Sequence, residues 1–287
     1  MKALDLHPPV RGLALWTGKD WRFGAEAFAA CRVDPQSVSA DHWESISLHP
    51  LAAGRGGMRH RADLAAASLK ADRLGADPVA ALAPAGWERE ELQVFLGAAQ
   101  SAGLRVRWLL PRCAAAAAVA GIDADTCEAA EWSWNQLRLS GLRREDGCWR
   151  RGAVRTLPDA GIFSCFRREA GLARDILLDT RRYDPLDSGR TEQALFLSWW
   201  RALGEGAPWI ASTPDGGETD LSPARPRLAA LHPFHLEDRE TLLLPAALRQ
   251  LLGFTRATPE PASLDSATAA LEDHDTAGTR WRDGHSL

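Results

Sequence analysis

Arg181, Tyr183, Asp184, Asp187 and Arg190 bring carboxylates and guanidinium groups together around Pro185 and the chain's single tyrosine. Charge-assisted hydrogen bonds across such a turn can tie one part of a fold to another, and a structural role is preferred here over catalysis. Gly54, Gly56 and Gly57 leave backbone N–H groups accessible, as a phosphate-cradling loop requires. Their spacing matches neither a P-loop nor a dinucleotide fingerprint, so a surface turn is the simpler expectation. Asp123, Asp125, Glu128 and Glu131 gather carboxylates of the kind a hard cation needs. They follow no ligand pattern, and a solvated helix flank is expected instead. His232 and His235 could share a metal, but no cysteine or carboxylate pattern completes a zinc site. Thr213 to Gly217 has the composition of an anion-binding loop without a long helix after it, which favours an ordinary loop. No catalytic residue and no metal site are expected.

These groups sit in a chain of 287 residues that is 45% apolar, enough for one large α/β domain or two lobes. The net charge is -4, and of 34 basic residues only 3 are lysine. That balance argues against an extended nucleic-acid surface, which needs a concentrated positive patch. Cys31, Cys113, Cys127, Cys148 and Cys165 are odd in number and widely spaced, fitting free thiols rather than a disulfide framework. With no secretory-type start and no apolar run long enough to span a bilayer, a cytoplasmic protein without membrane contact is expected.

The elements that must position any site centre on residues 87–121. Leu92, Phe95, Leu96 and Ala99 recur at helical spacing, with Glu88, Glu90 and Glu91 crowding the first turn. This predicts a helix over 88–102, stopped by Gly103, then a strand over 104–110 and an Ala-rich helix over 112–120. Upstream, short strands at 13–16 and 21–23 form a hairpin, followed by helical starts near 24–30 and over 62–74 and a strand over 79–82. Downstream, a strand over 132–142 with an irregularity near Asn135, a partner reaching Val154 and Leu157, and a long helix over 161–180 are expected. Asp187 or Ser188 caps a further helix that carries Trp199 and Trp200. Aromatic pairs of this kind can anchor an interface, although core placement is the preferred reading. A short strand at 209–210 and a helix over 242–252 follow, with Pro245 in its first turn. From residue 258 a Pro-, Ser- and Thr-rich tail, in which Trp281 could make an isolated contact, is expected to add little core.

Three stretches carry a family resemblance: residues 21–27 (Trp21 to Ala27), residues 87–100 (Trp87 to Gln100), and residues 181–193 around Tyr183-Asp184-Pro185-Leu186. They resemble the early Gly-Glu-Glu-Ala region, the first-lobe helix and the Phe-Asp-Pro-Leu region of bacterial proteins with the actin and heat-shock-chaperone ATPase fold. The resemblance spans residues 13–203. It implies an α/β actin-like fold, truncated or divergent, with two ribonuclease-H-like lobes around a nucleotide cleft, divided here as a first lobe over 1–127, a second, reduced lobe over 128–257 and a poorly ordered tail, 258–287. Active members of that superfamily use an early Asp-containing glycine-rich hairpin and a second Asp-Gly-Gly-like hairpin. Here Asp5-Leu6-His7-Pro8-Pro9 lacks the first glycine turn, and Glu131-Trp132-Ser133-Trp134 puts bulky rings where the backbone should approach phosphate.

Phosphoryl transfer needs the phosphates, magnesium and an oriented acceptor together. The expected function is therefore a catalytically degenerate actin-like binding or scaffold protein that mediates a protein assembly, with no cofactor and with homo-oligomerisation left open. The alternative is weak magnesium-dependent hydrolysis of ATP, with Gly54, Gly56, Gly57, Asp184 and Asp187 as its contributors.

Overall fold

The computed structural model describes residues 2–6, 9–72, 77–222, 240–252 and 256–260. The histidine pair, His232 and His235, and Trp281 lie outside the described residues. The chain opens with β1 (Lys2–Asp5) and then makes a long excursion. β2 (Ala14–Trp16) and β3 (Trp21–Phe23) form the expected hairpin, α1 (Ala25–Phe28) follows, and β4 (Val38–Ser39) pairs back on β2. β5 (Pro50–Arg55) and β6 (Met58–His60) form a second hairpin. The glycines weighed as a phosphate loop, with a surface turn preferred, supply its turn: Gly56 and Gly57 have φ of 58° and 79°. A Cβ at Gly56 would lie 2.3 Å from the Trp16 ring, so both the turn and the ring contact require glycine there.

α2 (Arg61–Ala71), β7 (Val79–Ala83), α3 (Arg89–Ser101), β8 (Val106–Pro111) and α4 (Arg112–Ala120) follow. β1, β7 and β8 make a parallel sheet in that order, and every residue of the central strand β7 is buried. A strand covered on both faces needs such a continuous apolar run. α3 starts where the acidic first turn predicts: the Glu88 backbone N–H donates to the Glu91 carboxylate at 3.0 Å. It stops at Gly103, with φ of 78°. α4 occupies the predicted bounds and ends at left-handed Gly121.

The second sheet begins with an antiparallel meander, β9 (Thr126–Trp132), β10 (Leu137–Glu145) and β11 (Cys148–Leu157). α5 (Ile162–Arg181) and α6 (Gly189–Glu205) follow, then a small hairpin of β12 (Ile210–Ser212) and β13 (Glu218–Asp220). β14 (Leu242–Leu244), α7 (Ala246–Leu252) and β15 (Thr258–Pro259) complete the described chain. β14 runs parallel to β9 and β15 parallel to β14, giving the order β11-β10-β9-β14-β15. Small side chains let α4 sit between the two sheets. Cys113, Ala116 and Ala117 share a core with Leu82 of the first sheet and Ala129, Leu142 and Leu243 of the second. α2 and α3 cover the far face of the first sheet, and α5, α6 and α7 cover the far face of the second.

Several local expectations change. The single strand over 132–142 is the end of β9, a turn and the start of β10, because Ser133 and Gln136 close that turn through a backbone bond of 3.0 Å. Glu128 and Glu131 lie in β9 and not on a helix flank. The helix over 242–252 divides into β14 and α7, since Leu242 to Leu244 are more favourably buried beside β9 and Pro245 suits a helix start. Thr258 and Pro259, placed in the tail by composition, extend the second sheet. The boundary at 127/128 falls within β9, and Leu13, Ala27 and Cys31 from the excursion are buried in the core of the second sheet. Phe28 draws them there: its ring lies 5.5 Å from Phe196 and 6.0 Å from Trp134.

Candidate functional site

The C-terminal ends of the parallel strands β1, β9 and β15 meet at one polar junction, the end of a sheet at which parallel α/β folds place their ligand sites. Asp5 ends β1, Glu131 stands near the end of β9, and Glu260 directly follows β15. Arg112, the first residue of α4, lies between them. Its Nε donates to both oxygens of Asp5, at 2.9 and 3.0 Å, and its Nη1 donates to Glu260. One guanidinium therefore bridges the first sheet to the second. Burial opposes the charge on Arg112, but Glu260, Asp5 and Glu131 together outweigh it and hold the group above its ordinary value.

The same surface of the second sheet grips the loop after β7. Glu131, 1% exposed, accepts from the Ala85 backbone N–H at 2.7 Å. Its cross-strand neighbour Arg138 donates to the Glu44 carbonyl at 2.7 Å and packs on Gly86, where a Cβ would lie 2.4 Å from its Nε. Arg151 donates to the carbonyls of Ala85 and Trp87. The Glu44 carboxylate accepts from Asn135 N and Nδ2 at 3.0 and 3.1 Å, closing the junction on a second side.

Such burial is costly unless each charge is compensated. Desolvation pushes the Glu131 carboxyl up to about 7 against the pull of Arg112 and the Ala85 N–H. It raises Glu44 and Glu260 as well, and lowers Arg138. Among the described residues Glu131 Oε1, Arg138 Nη1 and the Ser140 hydroxyl have no hydrogen-bond partner. His42, fully buried beside Trp43, is driven down to about 4 by desolvation and is neutral at pH 7. Among the described residues no group of His, Cys, Asp or Glu is arranged to hold a metal ion. All five cysteines are free thiols. Burial pushes Cys31, Cys113 and Cys165 up to about 12, which removes thiolate chemistry near neutral pH.

Glu131 apart, the residues singled out from sequence lie elsewhere. Asp184 caps its own turn, its Oδ1 accepting from Leu186 N at 2.8 Å; among the described residues it pairs with neither Arg181 nor Arg190. Arg181 instead reaches the β12–β13 hairpin, through Thr219 Oγ1 at 3.2 Å and the Glu218 carbonyl at 2.7 Å. Asp187 and Arg190 are exposed, and Tyr183 is half-buried against the second core. Trp199 is 1% exposed and donates to Glu169 at 2.7 Å, while Trp200 stacks on Trp132 and Trp134, each 6.2 Å away. The pair belongs to the core. The apolar face of α6 packs on α5 and the second sheet.

Sequence reasoning passed over Asp5, Arg112, Arg138 and Glu260 as a group. The available signal was a charge embedded in an apolar stretch: Arg112 at the head of an alanine run, Arg138 between Leu137 and Leu139, and Glu131 beside Ala129, Ala130 and Trp132. Among the described residues no helix is long and apolar enough to cross a membrane. No protein-family model matches the chain, and no curated protein matches it.

Proposed function

We propose that this chain is a catalytically inactive actin-like scaffold whose two sheets are locked together by buried ion pairs and whose work is to hold a protein partner. Its support for an actin-like fold is the order of the second sheet, a three-stranded antiparallel meander extended from its first strand by two parallel strands. That is the arrangement a ribonuclease-H-like lobe calls for. A parallel β1-β7-β8 sheet faces it across α4, in the place of the other lobe.

The observation that carries the inactive reading is Arg112. In a working cleft the carboxylates at the strand ends must be free to organise a magnesium ion and the phosphates. Here a side-chain cation already holds both Asp5 and Glu260, and Trp132 and Trp134 fill the adjoining turn. Hydrolysis of ATP would first require Arg112 to leave Asp5. Calorimetric titration of the full chain with ATP and magnesium, together with a phosphate-release assay, tests this. No binding at millimolar nucleotide is expected; saturable binding with magnesium-dependent phosphate release would overturn it.

A further inference from the structure

Three polar side chains share one face of the second sheet. Glu131 on β9 and Arg138 on β10 are direct cross-strand partners, and Ser140 stands two residues further along β10 on the same face. They are 1%, 7% and 0% exposed. Each carries an atom that no other described residue satisfies: Glu131 Oε1, Arg138 Nη1 and the Ser140 hydroxyl. Opposite charges on directly paired residues attract one another across a sheet, yet Oε1 and Nη1 do not meet.

Bonds to other segments hold the two heads where they are. Glu131 accepts from the Ala85 N–H through Oε2 at 2.7 Å, and Arg138 donates through Nη2 to the Glu44 carbonyl, also at 2.7 Å. Arg138 is packed so closely on Gly86 that a Cβ there would lie 2.4 Å from its Nε. Cys113 of α4 borders the Ser140 hydroxyl. A thiol is a weak acceptor that can take the Ser140 proton but leaves the oxygen's lone pairs open. Burying three such groups unsatisfied is costly. Together they call for a ligand that accepts one hydrogen bond and donates two. An anion would meet the Glu131 carboxylate and a cation the Arg138 guanidinium, so the fitting ligand is small, uncharged, and both donor and acceptor.

We propose that a single buried water molecule is a built-in part of this junction, accepting from Arg138 Nη1 and donating to Glu131 Oε1 and to the Ser140 hydroxyl oxygen. About three hydrogen bonds is the usual complement of a buried water. The molecule completes a chain from the Ala85 N–H through Glu131, water and Arg138 to the Glu44 carbonyl. The loop after β7 and the segment between β4 and β5 are then held by one network and not by two separate clamps. Burial raises the Glu131 carboxyl to about 7, and water serves Oε1 in either state, as donor to the carboxylate or as acceptor from the acid. The site goes beyond the scaffold reading and is the same whether or not a partner or a nucleotide binds.

A crystal structure of the full chain, fine enough to place internal solvent, tests the site. The expected result is one density peak within hydrogen-bond distance of Glu131 Oε1, Arg138 Nη1 and Ser140 Oγ, with no anomalous signal there after a bromide soak. A direct bond between Glu131 and Arg138, a dry space between them, or bromide at the peak would overturn the proposal. In solution, oxygen-17 magnetic relaxation dispersion counts long-lived internal waters. Ser140→Val puts a methyl group where the water would sit and should lower that count by one against the parent. An equal count in the two proteins would defeat the assignment, and the parent crystal decides it if the variant does not fold.

Discussion

Arg112→Met is the sharpest perturbation of the junction. Methionine keeps much of the aliphatic bulk but removes the bonds to both oxygens of Asp5 and to Glu260. Glu260, with its side chain 9% exposed, would then be buried without its cation. Removing one partner of a buried pair costs roughly 3–5 kcal/mol. An independent route reaches the same size. The folded variant can escape by protonating Glu260, whose ordinary value is 4.5, and holding that proton at pH 7.5 costs about 4 kcal/mol at 1.36 kcal/mol per unit. At pH 5.5 the same step costs only about 1.4 kcal/mol. The sign follows from a carboxyl raised in the folded state: stability is lost as pH rises above the unfolded value. The deficit of Arg112→Met against the parent should therefore be largest at pH 7.5 and shrink by about 1.4 kcal/mol per unit towards pH 5.5. Urea denaturation at the two pH values measures it, and adding Glu260→Gln should restore at least half of the loss. A deficit below about 1 kcal/mol at pH 7.5, or one that does not change with pH, would refute the bridge as the lock between the sheets.

Three further outcomes are expected. Glu131, raised to about 7 chiefly by burial, makes the parent lose stability as pH climbs from about 4.5 to 7; Glu131→Gln should flatten that limb, by an amount on the order of 3 kcal/mol, in denaturation curves across the window. Gly161→Ala would put a Cβ 2.2 Å from the Asn135 carbonyl carbon, backbone that cannot swing aside, so thermal denaturation should show a loss of about 1–3 kcal/mol or more. Asp184→Ala removes the bond to Leu186 N and should cost about 1 kcal/mol by chemical denaturation, while Arg190→Ala, on the exposed face of α6, stays near neutral.

Local features were largely legible from residue order. The bounds of α4, the β2–β3 hairpin, the Ser188 cap of α6 and the stop at Gly103 follow from small side chains, turn residues and helical spacing, all of which act within a few residues. The errors arose where a neighbour distant in the chain competes with local preference. Residues 242–244 are leucines that suit a helix in isolation, but the open side of β9 captures them as a strand. Trp199 and Trp200 are equally compatible with a surface or a core until Phe28, Trp132 and Trp134 arrive from other segments to surround them.

The candidate site belongs wholly to the second class. Composition and patterning determine that this is a mixed α/β chain with an aromatic core, rigid turns and glycine-poor segments near Asp5 and Glu131. They do not determine which charges meet. Asp5, Arg112, Glu131 and Glu260 are separated by up to the length of the described chain, and no spacing rule links one to another. Only the stacking of two sheets about α4 brings them together, and the burial of Arg112, Glu131 and Glu260 there is what turns four separate side chains into a lock.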